Sequence, residues 1–210
     1  MVNNSTKDGK NWVYSDIVKD HFFNPRNILK IPENEYKADG IGFVGSPECG
    51  DMMKIWIKVK NDKIVDCKWQ TFGCASAISS TSMLSEMVTE NEGMGLDDAM
   101  NINPNDIVTR LGGLPNKKIH CSVLGDKALR EAINDYFRRS KQNYRIKRNK
   151  ETIICSCMNV TDHDIEDCVL ERKDTFKLVQ KKTNLGIGCG GCHERAKELI
   201  KEYRKKYFGE

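Results

Sequence analysis

Nine cysteines and four histidines, in a chain of 210 residues, are the side chains most able to hold a soft metal. Nine is odd, and the first ten residues contain no apolar stretch of the kind that directs export, so a disulfide framework is not expected. That segment also carries Asp8 and no Arg, unlike an organellar transit peptide. Thiolates binding metal in a reducing cytoplasm are the expected use.

Four of the nine fall into two close pairs. Cys155-Ser156-Cys157 and Cys189-Gly190-Gly191-Cys192 are separated by 31 residues. Two such pairs suit a metal ion or a [2Fe–2S] cluster, whereas a zinc ribbon more usually has C-x2-C twice. Gly186, Gly188, Gly190 and Gly191 let the backbone turn tightly and aim amide N–H groups at sulfur. Cys49, Cys74 and Cys121 are 25 and 47 residues apart, so their spacing alone is a weak signal. Their settings are related, however. Cys49 precedes a strand, Cys74 follows Phe72-Gly73 at a strand-to-helix junction, and Cys121 follows His120 at the start of a long helix. A thiol at a helix N-terminus feels the positive end of the dipole, which favours thiolate. Asp51 and His120 are the nearest candidates for a fourth ligand, and three sulfurs with one oxygen or nitrogen suit zinc or an iron–sulfur cluster. On spacing alone the trio could equally be small buried hydrophobes.

The elements around these residues divide the chain in two. Residues 138–150 hold seven basic residues and no acid, read as a solvated helix end and linker. The expected division is 12–139, a linker over 140–150, and 151–210. The first part reads as α+β. Ser15–Phe23 is a short helix. Met53, Ile55, Ile57 and Val59 alternate with polar residues and Trp56, the period of a half-buried strand. Asn61-Asp62 turns the chain into a second strand, Ile64–Phe72, and Cys74–Thr89 is a helix. Short helices follow at Leu96–Asn101 and Asn105–Leu111. Cys121–Arg139 is a long amphipathic helix with Leu124, Ala128, Leu129, Ala132, Ile133 and Tyr136 on one face. The second part, about sixty residues, reads as small and all-α, with helices after Thr161, at Asp174–Lys181 and at His193–Tyr207. A domain this short gains stability from a metal.

The remaining candidates read as structural. Cys67 shares a strand face with Val65 and Trp69, and Cys168 lies between Ile165 and Val169 on a helix; both read as core. His21 reads as structural or surface. His163 and His193 flank the second cysteine set, where solvation at helix ends is favoured over tuning of a cluster through hydrogen bonds. Trp56 and Trp69 read as packing or partner contact. Net charge is +4 from 34 basic and 30 acidic residues, too even to indicate a nucleic-acid partner. Mean hydropathy is −0.59, and no run approaches the roughly 18 apolar residues of a membrane span.

The flanking residues carry a resemblance. Gly45-Ser46-Pro47-Glu48-Cys49-Gly50-Asp51-Met52-Met53-Lys54, Thr71-Phe72-Gly73-Cys74-Ala75-Ser76-Ala77-Ile78 and Lys118-Ile119-His120-Cys121-Ser122-Val123-Leu124 resemble the signature stretches of the IscU/NifU-N scaffold family, as does Tyr14–Asn27. Ile154–Asp162 and Thr183–Cys192 resemble the BFD-like [2Fe–2S] domain. The order of the two is that of NifU. The resemblance implies an IscU-like α+β domain followed by a small helical module. It implies a labile [2Fe–2S] cluster on Cys49, Cys74 and Cys121, with Asp51 favouring release and His120 as alternative ligand. It implies a permanent, redox-active [2Fe–2S] cluster on Cys155, Cys157, Cys189 and Cys192.

The function so implied is a scaffold, not a turnover enzyme. Iron and sulfur from a cysteine desulfurase are assembled on the first domain, and the cluster passes to apo-proteins. An electron donor and a homodimer belong to the same expectation, as does zinc in an empty scaffold site. In IscU-type members a Leu-Pro-Pro-Val-Lys motif is read by a chaperone; here Leu114-Pro115-Asn116-Lys117-Lys118 stands in its place, closer to the NifU branch. A ferredoxin-type electron carrier and a zinc-binding regulatory module are the alternatives.

Overall fold

Asn61 and Asp62 both adopt positive φ, 52° and 61°, the backbone of a two-residue hairpin turn. They join β2 (Asp51–Lys60) to β3 (Lys63–Phe72). The computed structural model describes residues 14–46, 51–115, 118, 120–147 and 152–209. The chain divides into two units, residues 1–115 with 121–147, and residues 148–210 with the segment 116–120.

The hairpin is the centre of the first unit. Its sheet is four-stranded and antiparallel, in the order β1 (Gly40–Ser46), β2, β3, β4 (Met94–Gly95). Met53, Ile55 and Ile57 of β2 are fully buried on one face, as their alternation predicts. On β3 the alternation slips. Lys58 pairs with Asp66 and Val59 with Ile64, leaving Val65 as the extra residue of a bulge. Ile64, Cys67 and Trp69 therefore face inward, whereas Val65, expected beside Cys67, is exposed. The opposite face is not simply solvated. Trp56 packs with Leu29 and Tyr36, because the segment before β1 crosses the sheet there, with Leu29 N–H bonded to the Trp69 carbonyl at 3.0 Å.

Helices α1 (Asp16–Phe23), α3 (Ala75–Thr89), α4 (Leu96–Ala99), α5 (Pro104–Arg110) and α6 (His120–Arg139) accompany the sheet, with a short α2 (Glu33–Tyr36) before β1. Val18, Ala77, Leu84, Val88, Leu96, Ile107, Leu124, Ala128, Leu129, Ala132, Ile133 and Phe137 share one core with the inner sheet face. Ser15 caps α1, accepting from Val18 N–H at 3.1 Å. Asn103 and Asp106 form a reciprocal capping box on α5.

The strand β1 carries no helical or alternating apolar signature, since Gly-Ile-Gly-Phe-Val-Gly reads as a breaker-rich loop. The glycines are there for proximity. A Cβ on Gly40 would stand 2.2 Å from the Ala132 carbonyl oxygen, and one on Gly42 would stand 1.9 Å from that of Ala128. Strand and helix thus meet backbone to backbone. The basic run also departs from expectation. Residues 140–147 are not a linker but fold onto the first unit. The Arg145 guanidinium reaches Asp62 at 2.6 Å and Asp97 at 3.0 Å, and lies over the Phe137 ring at 4.5 Å. Like charge therefore does not hold this segment in solvent, because two carboxylates and an aromatic face receive it.

The second unit adds a small ribbon to its expected helices: β5 (Ile153–Cys155) paired with β6 (Val160–Thr161). Helix α7 (Asp162–Leu170) starts from a Thr161–Asp164 capping box. Helix α8 (Phe176–Thr183) starts from Thr175, and α9 (His193–Phe208) follows a glycine-rich loop. The core is small: Val160, Ile165, Cys168, Val169, Val179, Leu185, Ala196, Leu199 and Ile200, with Cys155 and Cys192. Among the described residues no helix is long and apolar enough to cross a membrane.

Two measurements test these packing arguments. Gly42→Val should lower the unfolding free energy of metal-free protein by roughly 1–3 kcal/mol or more, because neither backbone can yield; unchanged denaturant midpoints would contradict the close approach. His21 is 4% exposed, with Nδ1 2.8 Å from Ser82 Oγ. Burial, then Arg26, hold its pKa below the ordinary histidine value, against Glu86 and Asp20. A lowered folded pKa means the unfolded chain takes up the proton first, so stability is present above about pH 6.5 and is lost as pH falls below it. The urea midpoint should drop between about pH 7 and pH 5, and less steeply in His21→Gln.

Candidate metal centres

The first candidate site is placed by where elements begin. Asp51 opens β2 opposite Ser46, the last residue of β1. Met52 pairs with Phe72, so the end of β3 reaches the same edge. Gly73 follows, and Cys74 is the N-cap of α3. Helix α6 arrives there from the other direction. Two strand residues, Gly40 to Gly42, match four helix residues, Ala132 to Ala128. That is about 6.7 Å of strand against about 6 Å of helix. Continuing four more strand residues to Ser46 runs about nine residues back along α6, to its start. The start of α6, with Cys121 as its second residue, thus runs toward the end of the sheet at which β2 opens and α3 begins. His120 is the first residue of the same helix. Cys49, and Asn116-Lys117 of the substituted motif, lie outside the described residues.

What this end can do follows from helix electrostatics. Cys74 at the α3 N-cap and Cys121 in the first turn of α6 lie where backbone N–H groups lack intrahelical partners and the dipole is positive. Such positions favour thiolate. Cys74 is half-buried, so its side chain is partly open to solvent.

The second site is a loop built around sulfur. Cys155 ends β5, and the turn after it carries Cys157 and Asn159, the latter at φ 52°. Cys189 lies in the glycine loop and Cys192 caps α9. Cys157 Sγ and Cys189 Sγ are 3.4 Å apart. Cys155 and Cys192 are hydrogen-bonded to each other, the charge of Cys155 is felt at Cys189, and that of Cys189 at Cys192. Backbone N–H donors converge on this set. The Gly186 N–H lowers the Cys155 pKa most, ahead of those of Met158 and Cys157. The Gly191 N–H does the same for Cys189, followed by Cys157. Burial pushes Cys192 upward.

The pairing bears on which group the thiols fit. On a tetrahedral metal with thiolate bonds of about 2.3 Å, two thiolates stand about 3.8 Å apart, close to the Cys157–Cys189 spacing. Among the described residues no three Cys, His, Asp or Glu side chains are grouped to hold one metal ion. Thiols disposed as two pairs suit two bridged irons better than one zinc.

The two cysteines read as core are core. Cys67 is fully buried and its thiol is pushed up to about 12 by that burial. Cys168 is fully buried within the second core. Trp69 is buried with its Nε1 donating to the Arg26 carbonyl at 2.7 Å.

His193 was the residue misjudged from sequence. Its ring does not stand in solvent at a helix end. Nε2 lies 2.9 Å from the Gly186 carbonyl oxygen, and Phe176 meets the ring edge-on at 4.9 Å between centroids. The adjacency Cys192-His193 was visible, but the return of the loop to the ring was not.

Comparisons with known proteins bear on both sites. Residues 13–143 match the NifU-like N terminal domain, and residues 153–202 match the BFD-like [2Fe-2S] binding domain. The iron–sulfur cluster assembly scaffold protein IscU 1 of Archaeoglobus fulgidus is 50% identical over 135 residues, 64% of this chain and 84% of that protein. The nitrogen fixation protein NifU of Azotobacter chroococcum is 39% identical over 194 residues, 91% of this chain and 60% of that protein. NifU of a Nostoc species is 38% identical over 199 residues, 92% of this chain and 65% of that protein. The chain thus spans 60–65% of the length of these NifU relatives. With the first match covering more than half of its residues, the chain belongs to the NifU/IscU family, its first part a NifU-like N-terminal domain and its second a BFD-like [2Fe–2S] binding domain.

Proposed function

We propose that the first unit is a scaffold on which iron–sulfur clusters are assembled and from which they are released, and that the second unit keeps a resident [2Fe–2S] cluster. The observation that supports this reading is that Asp51 opens β2 at the sheet edge where β3 ends and Cys74 caps α3, with α6, whose second residue is Cys121, lying along β1. Cys49 is the third thiol of the scaffold site, and His120 the alternative to Asp51 as fourth donor.

Iron and sulfur are the cargo of the first site. A persulfide on a partner cysteine desulfurase carries sulfur in the zero oxidation state. A thiolate of the trio attacks the outer sulfur, forming one S–S bond while the partner's cysteine leaves as thiolate. Two electrons then split the new persulfide into sulfide and the original thiolate. Three thiolates with one weak oxygen donor hold one iron less firmly than four thiolates would. The Asp51 carboxylate also adds negative charge beside an anionic cluster. Both effects favour transfer to apo-proteins.

In the second unit Cys155, Cys157, Cys189 and Cys192 hold the resident group. A [2Fe–2S] cluster there supplies one-electron exchange, which persulfide cleavage needs twice. The N–H groups of Gly186 and Gly191 orient toward sulfur and stabilise its negative charge. An external electron donor, apo-protein clients and a second copy of this chain complete the set of partners, in the cytoplasm.

Iron and acid-labile sulfide analysis tests the reading. Two labile and two stable irons per chain are expected after anaerobic reconstitution. Stable iron alone would make the chain an electron carrier, and zinc in both sites a regulatory module. Cys189→Ser should abolish the stable iron and Cys168→Ser should leave it. Asp51→Ala, in the Cys189→Ser background, should slow decay of the remaining absorbance; a change of about 1.4 kcal/mol in the release barrier is about tenfold in lifetime. Unchanged or faster decay at a normal melting temperature would remove Asp51 from the release step.

A further inference from the structure

We infer that His193 is a positioning residue for the second site: its imidazole ties the Gly186–Gly190 loop to the start of α9 and thereby sets the reduction potential of the cluster held by the four cysteines. The inference rests on the proposed binding of a [2Fe–2S] cluster there.

The geometry is a closed loop of short contacts. A carbonyl oxygen can only accept, so His193 Nε2 carries the hydrogen in its 2.9 Å contact with the Gly186 oxygen. The His193 backbone N–H donates to the Gly190 carbonyl at 3.1 Å. The same residue therefore grips both ends of the segment that leads into Cys189. The ring fills the concave side of that segment. A Cβ on Gly186, whose φ is +68°, would stand 2.4 Å from His193 Cδ2, and one on Gly190, at φ +71°, 3.4 Å from Cε1. Phe176 closes the outer edge of the ring.

The consequence passes through one residue, whose N–H and carbonyl lie in the two peptide units that meet at its Cα. The Gly186 carbonyl is held by His193, and the Gly186 N–H points at Cys155 sulfur. Both belong to the loop turn that the imidazole fixes. Releasing the carbonyl frees the loop to rotate and takes the amide away from sulfur. Hydrogen bonds to cluster sulfurs stabilise the reduced state, which carries one more negative charge, and are among the determinants of potential. Losing the tie therefore moves the couple to more negative potential.

The experiment is a redox titration of the full chain, with iron and sulfide analysis run in parallel. The variants are His193→Leu, which keeps apolar bulk without a donor, and His193→Gln, which keeps an N–H at the Nε2 position. The leucine variant should retain its stable iron while its equilibrium constant for one-electron reduction falls about tenfold, a shift of about 59 mV. The glutamine variant should return most of the way to the parent value. Gly186→Ala, which drives a methyl into the ring, should shift the couple in the same direction, and should add little to His193→Leu. Stable iron lost from the leucine variant but kept in the glutamine variant supports the same role. Equal potentials in all variants, or stable iron lost from both histidine variants, would overturn it. Absence of stable iron and sulfide from the parent chain would instead overturn the cluster assignment on which it rests.

Discussion

A thiolate buried in protein has to be met by hydrogen-bond donors or by a cation, and backbone N–H groups are available for this only where regular structure starts, stops or turns. That constraint sorts the cysteines of this chain. Cys74 is a helix N-cap, Cys121 lies in a first helical turn, Cys155 ends a strand, Cys157 follows in its turn, Cys189 sits in a glycine loop and Cys192 caps α9. Cys67 and Cys168 occupy the middle of a strand and of a helix, where every neighbouring N–H is already spent on the ladder or the turn below. Their burial makes them hydrophobes, and for Cys67 raises the thiol pKa far above neutrality. Position within an element, more than spacing along the chain, separates the thiols proposed as ligands from those that fill the core.

The two sites meet the constraint in opposite ways. The first gathers donors from elements distant in sequence, brought to one edge by the near contact of β1 with α6. The residues proposed for it start or cap three different elements, β2, α3 and α6, so each would shift with its own element if the proposed site were loaded and emptied. The second gathers donors from one short loop and one ribbon, cross-tied by His193, Phe176 and the glycines. Its geometry is fixed locally. On the proposed reading, a site that exchanges its contents and a site that keeps them are built from the same residue type, and the difference lies in how the backbone that carries the thiols is restrained.

Much of this was legible in the sequence, for reasons that also explain what was not. The hairpin announced itself through alternation and a polar turn, and α6 through its apolar face, because burial of one face imposes those periods. The strand β1 was illegible because its glycines answer to Ala128 and Ala132, nearly ninety residues away, and not to a local period. The bulge that turns Val65 outward was hidden for the same reason: a one-residue slip depends on the partner strand. Arg145 read as linker charge because the carboxylates that receive it, Asp62 and Asp97, lie far back in the chain. The cysteine pairs were plain from spacing, whereas the role of His193 required the loop to be seen returning to its ring.

The second unit shows how stability and chemistry are coupled in a short chain. Its core holds few apolar side chains, and two of its members are the thiols of Cys155 and Cys192. Their burial draws them out of water, while the N–H groups of Gly186, Met158 and Cys157 favour the anion at Cys155. A cation that neutralises these sulfurs would offset the cost of their burial, so ligand binding would contribute folding energy directly. The far end of the unit is closed by other means: Glu166 of α7 takes the Lys206 ammonium at 2.9 Å and the Tyr207 hydroxyl, both on the last turns of α9. Helix α9 is thus tied at one end by sulfur and imidazole and at the other by a carboxylate. Loss of a group held by the cysteines would loosen the first end and leave the second.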